Sequence, residues 1–248
     1  MNAHKPLPED DTRAVMDDER IMWDLVSEIS QGLQMSFASI KAAVSSLLDG
    51  NIFWDQAAQH EFMQTIDKSV DDSSSLTAVM TLAMRCESQT LIVHREPNSL
   101  QEILSQAKDL VQKDLPDAII ELSLPTETRP AFVDFEYLRM ALRLLIEVLL
   151  SANVKSCAPM SIQMLEKATE WQLVIETDSS GLTNDLINWL SHHAPERFLF
   201  PINLRAEIKL KALVSYQLLT LQAIKLTTSS AVEEVTSLVL YVPYVTEA

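Results

Sequence analysis

From Asp17 to Leu48 the apolar residues Met22, Leu25, Ile29, Leu33, Phe37, Ile40, Val44 and Leu47 recur in steps of three and four. That spacing keeps them on one stripe of a long helix. Asp49-Gly50-Asn51 breaks the pattern, with Gly50 suited to the left-handed position past a helix end. Asp55 can cap a second helix, whose stripe runs Phe62, Ile66, Val70, Thr77, Met80 and Met84 and stops near Glu87. Each helix is about 30 residues, or ~45 Å at 1.5 Å per residue. Joined by a short turn, the two must run antiparallel. A lone hairpin cannot cover both sides of such a seam, and the simplest cover is a second copy, giving a four-helix bundle from two chains. The pattern therefore predicts a homodimer. The competing cover is the chain's own C-terminal domain.

Composition narrows the function classes. The net charge of −16 repels phosphate backbones, and no dense Lys/Arg cluster offsets it, so no nucleic-acid partner is expected. No apolar run approaches the ~20 residues needed to cross a bilayer. Met1 to Arg20 is polar and acidic, unlike a signal peptide, and a cytoplasmic location is expected. Cys86 and Cys157 are far apart and form no metal-ligand pattern, so reduced thiols are expected. Only three glycines occur, Gly32, Gly50 and Gly181, where the usual ~7% would give ~17. A loop that wraps phosphate needs glycine where its backbone N–H groups approach the ligand. With its three so scattered, the chain can build no Gly-rich phosphate loop.

After Ser88 the periodicity changes. Thr90 to Arg95 reads as a strand, Ser99 to Glu102 has capping-box spacing, and a helix follows to about Lys113. Ala118–Leu124 and Ala131–Val133 read as strands, and Asp134 caps a helix to about Ala152. Ser161–Leu165 and Gln172–Thr177 look like a hairpin. Helices are expected over Asn184–Ser191 and Arg205–Ala223, and strands over Ile224–Thr228 and Ser237–Val242. The fold class is α+β: a long helical hairpin, then one sheet covered by helices.

This layout, ending in Tyr241-Val242-Pro243, resembles a histidine kinase catalytic core from about residue 20 onward. The most specific stretch is Ile29-Ser30-Gln31-Gly32-Leu33-Gln34-Met35-Ser36-Phe37-Ala38-Ser39-Ile40, which is similar to the family's phosphoacceptor segment. There a serine precedes the phosphorylated histidine, and an acidic residue and an Arg-Thr-Pro-Leu run follow it. Here Gln31 stands at the histidine position, Gly32 at the acid position, and Gln34, Met35 and Ser36 at the arginine, threonine and proline positions. An amide has no nucleophilic nitrogen comparable to imidazole. The stripe turns Ile29, Leu33 and Phe37 inward and leaves Gln31 on the outer face.

The acidic runs predict an N-terminus without order over 1–16, and the resemblance implies an acceptor-like dimerisation hairpin over 17–88 and an ATPase-like domain over 89–248. In the last of these the family's helix carries asparagines that hold magnesium and phosphate. Asp134, Leu138 and Arg139 match its approach, but Leu144 and Val148 stand at the asparagine positions and only Glu147 is kept. Asp178-Ser179-Ser180-Gly181-Leu182 represents the adenine turn, and Glu207-Ile208-Lys209-Leu210 the later glycine turn. Asp178 alone could still do its family task, and Glu207 would repel a triphosphate. No cofactor and no metal is expected.

The reading is a signalling protein that is not an enzyme, a pseudokinase scaffold that binds a response regulator receiver domain or an active kinase. The docking surface would be Gln31, Gln34 and Ser39, with the loop from Asp49 to Phe53. The rival is a phosphotransferase, or a kinase holding nucleotide in an unusual pose, that uses another histidine: His4, His60, His94, His192 or His193. His60 lies at the hairpin end with Glu61 beside it, and a surface role is the expectation for it. A different ligand in the nucleotide cleft is a third reading, disfavoured by the apolar Leu144 and Val148.

Overall fold

The computed structural model describes residues 9–49, 54–126, 128–152, 159–177, 181–192, 204–231 and 235–244. Within these the chain falls into two compact units that part at Leu82 and Ala83, inside the second helix.

The first unit is the hairpin. Helix α1 spans Glu9–Leu48 and α2 spans Gln56–Glu87. α1 thus starts eight residues before the expected Asp17, and residues 9–16, expected to lack order, are helical. Nothing in Glu9–Met16 breaks a helix, since it holds neither proline nor glycine. The Asp55 carboxylate accepts the Ala58 N–H at 2.7 Å and caps α2. At the other side of the turn the Trp54 indole donates to the Ser46 carbonyl at 2.8 Å, which also takes the Asp49 N–H at 3.4 Å at the end of α1. Trp54 also meets the Phe62 ring edge-on, with centroids 5.0 Å apart.

The seam inside one hairpin is narrower than the sequence stripe. Ile29 and Ala43 are buried, and Leu33, Ile40 and Leu47 are half-buried. Phe37, expected to point inward, is 59% exposed, and Val44 is exposed as well. Steps of seven put both on the flank of the seam, beyond the reach of α2 in the same chain. On α2, Met63, Val70 and Met84 are likewise exposed at heptad intervals.

The second unit holds strand β1 (Glu96–Asn98), helix α3 (Leu100–Asp114), β2 (Ile120–Ser123), β3 (Ala131–Val133), α4 (Phe135–Ala152), β4 (Met160–Glu166), β5 (Glu170–Glu176), α5 (Gly181–His192), α6 (Ala206–Leu221), β6 (Lys225–Ala231) and β7 (Val235–Pro243). The expected strand over Thr90–Arg95 is absent. That segment is irregular: Leu91 is buried, the His94 amide donates to the Asp134 carboxylate at 2.9 Å, and the ladder to β3 forms only from Glu96.

The main sheet has the order β2-β4-β5-β7-β6, parallel at β2–β4 and antiparallel elsewhere. β1 and β3 form a separate two-stranded ribbon. Strand alternation gives the sheet one apolar face. Ile162 pairs Ile175 and Met164 pairs Leu173; then Leu173 pairs Leu240 and Ile175 pairs Leu238, and all of them are buried. α4 packs against α3, α5 and α6. Its Leu138, Leu142, Leu145 and Leu149 are fully buried, each worth about 2 kcal/mol of transfer free energy. Within the seam between α4 and α6 the Ser215 hydroxyl donates to the Ala141 carbonyl at 2.9 Å.

Candidate functional site

Two groups of residues deserve placement, one in each unit. On α1, Gln31, Gln34 and Ser39 are exposed, and Gly32 lies half-buried one residue along. A Cβ built on Gly32 would meet Leu76 at 3.9 Å, an ordinary contact, so packing does not demand glycine there. Asp49 is exposed at the end of α1, and Phe53 lies outside the described residues.

In the second unit the Asp134 carboxylate does two jobs: it caps α4 through the Tyr137 N–H at 3.1 Å and takes the His94 amide. Its own N–H is held by the Gln222 side chain at 2.8 Å, which ties the start of α4 to the end of α6. From this start α4 runs inward. Leu144 and Val148 are in the core, and Glu147 between them is also buried.

Glu147 is not an isolated charge. Arg143 donates through Nε to Glu147 Oε1 at 2.7 Å, and Lys211 Nζ stands 3.1 Å from Oε2. Lys211 also meets Glu207 at 2.7 Å, and Arg143 meets Asp114 at 2.7 Å. α3, α4 and α6 are thereby joined by one ladder of alternating charge. Burial works to lower the Lys211 pKa, but the Glu147 charge and the hydrogen bond and charge of Glu207 outweigh it, and the net shift is upward. With both its oxygens held by cations, Glu147 is not a free base. Glu207, expected to repel a triphosphate, pairs with Lys211.

Of the remaining expected site residues, Lys209 is half-buried on α6, Gly181 opens α5, and Asp178 lies outside the described residues. The ladder brings Glu147 and Glu207 together through Lys211. Sequence reasoning missed Asp114, Arg143 and Lys211, although the i,i+4 spacings Arg143/Glu147 and Glu207/Lys211 were a readable signal. Among the described residues no group of three His, Cys, Asp or Glu could hold a metal ion, and no helix is long and apolar enough to cross a membrane.

No family model and no curated protein matches the sequence. Solved structures do share its fold. The Acinetobacter baumannii histidine kinase AdeS is 15% identical with a TM-score of 0.60, over 86% of this chain and 98% of that one. Full-length ShkA, solved in complex with AMPPNP, is 13% identical with a TM-score of 0.56, over 88% of this chain but only 46% of its own length. These similarities correct the expectation that the chain is not an enzyme. The structures it resembles include a histidine kinase, which is an enzyme, and nothing in the described residues shows an inactive protein. The helical hairpin, the mixed sheet and the helices over it together have the fold of a histidine kinase catalytic core.

Proposed function

We propose that this protein acts in two-component signalling inside the cell, as a homodimer whose hairpin docks the receiver domain of a response regulator. The observation that carries this reading is the pair of surfaces left on the hairpin. Phe37 and Val44 on α1, with Met63 and Val70 on α2, form apolar flanks that a second copy would cover. Gln31, Gln34 and Ser39 form a polar outer strip suited to a protein partner. Similarity of fold to AdeS over nearly all of that chain supports the assignment to this signalling class. An active kinase as partner would use the same apolar flanks, by exchange of one protomer.

The test is binding of the purified protein to a panel of receiver domains, followed by biolayer interferometry with Gln31→Arg. A receiver that binds with micromolar affinity and loses about tenfold or more on the substitution supports the surface, since 1.4 kcal/mol is one decade. Indifference of every receiver, or binding untouched by Gln31→Arg, removes it.

A further inference from the structure

We propose that Leu91–Arg95 is a strap through which a displacement of the last turn of α2 loosens the start of α4 and the end of α6 together. That last turn belongs to the second unit, with Ala83 and Cys86 buried, and Leu91 just beyond it is buried as well. Between them the chain turns back at Gln89. The Gln89 N–H donates to the Cys86 carbonyl at 3.1 Å and the Thr90 N–H to the Arg85 carbonyl at 3.1 Å, a Schellman ending with Gln89 at φ 52°. This left-handed position favours glycine, and a glutamine holds it at a cost.

Beyond Leu91 the strap is tied at two points. The His94 N–H donates to Asp134 Oδ2 at 2.9 Å, at the start of α4. The Arg95 guanidinium donates to the Leu221 carbonyl at 2.6 Å, at the end of α6. α6 has no basic residue in its own last turn, so Arg95 brings from another segment the cation that a helix C-terminus favours. The two tied ends are also joined to each other, because the fully buried Gln222 accepts the Asp134 N–H at 2.8 Å.

Strap, α4 and α6 thereby close a ring of three hydrogen bonds, between residues 40, 88 and 126 apart in sequence. Each bond holds the partners of the other two in place, so opening one lowers the cost of opening the rest. The coupling is reciprocal, and the end of α6 acts on the strap as strongly as the strap acts on it. α4 and α6 carry Glu147 and Lys211, so a displacement entering at α2 reaches the charged ladder.

Hydrogen exchange of the full-length protein, resolved to single amides by mass-spectrometric fragmentation, tests this with substitutions at Gln89, which takes no part in the ring. Gln89→Val puts a branched side chain at a positive φ and should raise exchange at the His94, Tyr137 and Ile224 amides by one shared factor of about ten. Gln89→Gly should lower it at the same three amides by about fivefold. The Tyr137 N–H donates to Asp134 and the Ile224 N–H to the Leu219 carbonyl, so neither touches residue 89. Arg95→Leu removes only the tie to α6 and should nevertheless raise exchange at Tyr137. A change confined to residues 88–91, or one of equal size at Ile175 in the central strand of the sheet, overturns the strap. So does an Arg95→Leu effect that stops at the end of α6. Where Gln89→Val fails to fold, Gln89→Gly decides alone, since unchanged exchange at Tyr137 and Ile224 in that variant overturns the ring.

Discussion

Lys211 Nζ lies 3.1 Å from Glu147 Oε2, so that α6 is fastened to α4 by charge as well as by apolar contacts and the Ser215–Ala141 hydrogen bond. Removing one member of such a partly buried pair strands the other. Glu147→Gln should cost about 1–3 kcal/mol in urea denaturation, because Arg143 and Lys211 lose their shared anion. Replacing the three central members by apolar residues, as in Arg143→Leu with Glu147→Leu and Lys211→Met, should recover most of that loss, because Asp114 and Glu207 at the ends are solvated. The pH dependence has a definite sign. Lys211 is raised above its ordinary 10.5 in the fold, so its contribution is complete below that value and disappears as pH climbs through the higher folded-state value.

Two backbone positions should respond in opposite directions to exchanges between glycine and alanine. Gly32 sits within α1 with room for a Cβ, so Gly32→Ala should stabilise by about 1 kcal/mol. Ala223 has φ 60°, a left-handed conformation that burdens a side chain, and Ala223→Gly should stabilise by about 1 kcal/mol. Thermal or chemical denaturation of each single variant checks both.

The Cys86 thiol is buried at the end of α2, and burial pushes its pKa up from 9.0 to about 11. In a Cys157→Ser background, iodoacetamide at pH 8 should modify Cys86 at least about tenfold more slowly in the folded protein than in urea. Because the folded value is raised, the associated stability is complete below pH 9 and is lost on the way to 11. Stability curves at pH 8 and pH 11 read this out together with the Lys211 effect.

Val70 is 45% exposed on the α2 flank, seven residues from Met63. A charge there would be buried unpaired in a dimer and solvated in a monomer. Val70→Glu should therefore turn a sedimenting dimer into a folded monomer. A variant that remains dimeric places the second copy elsewhere.

The caps and breaks were legible in the sequence because they are local. Asp55, Ser99 and Asp134 each bond the backbone N–H three residues on. The strand expected at Thr90–Arg95 was not, although Leu91, Ile92 and Val93 carry strand propensity. Leu91 is taken by the core and the His94 amide by Asp134, so the ladder starts at Glu96 and admits Pro97 on an edge. The inward placement of Phe37 failed for a different reason: a stripe gives a helix face, not the width its neighbour can cover. In the candidate site, the pairs within one helix could be read by spacing. The meeting of Glu147 with Lys211 depends on how α4 and α6 pack, which no local pattern specifies.

The parallel pairing of β2 with β4 bears on how the domain assembles. β4, β5, β7 and β6 are joined by antiparallel ladders, and two of those pairs are hairpins that close over short loops. β2 has four residues at the rim and reaches β4 only after β3 and α4 have been laid between them. Its loop-closure entropy is recovered only when α4 has docked, so β2 is expected to join the sheet last during folding and to exchange its amide hydrogens first from the native state.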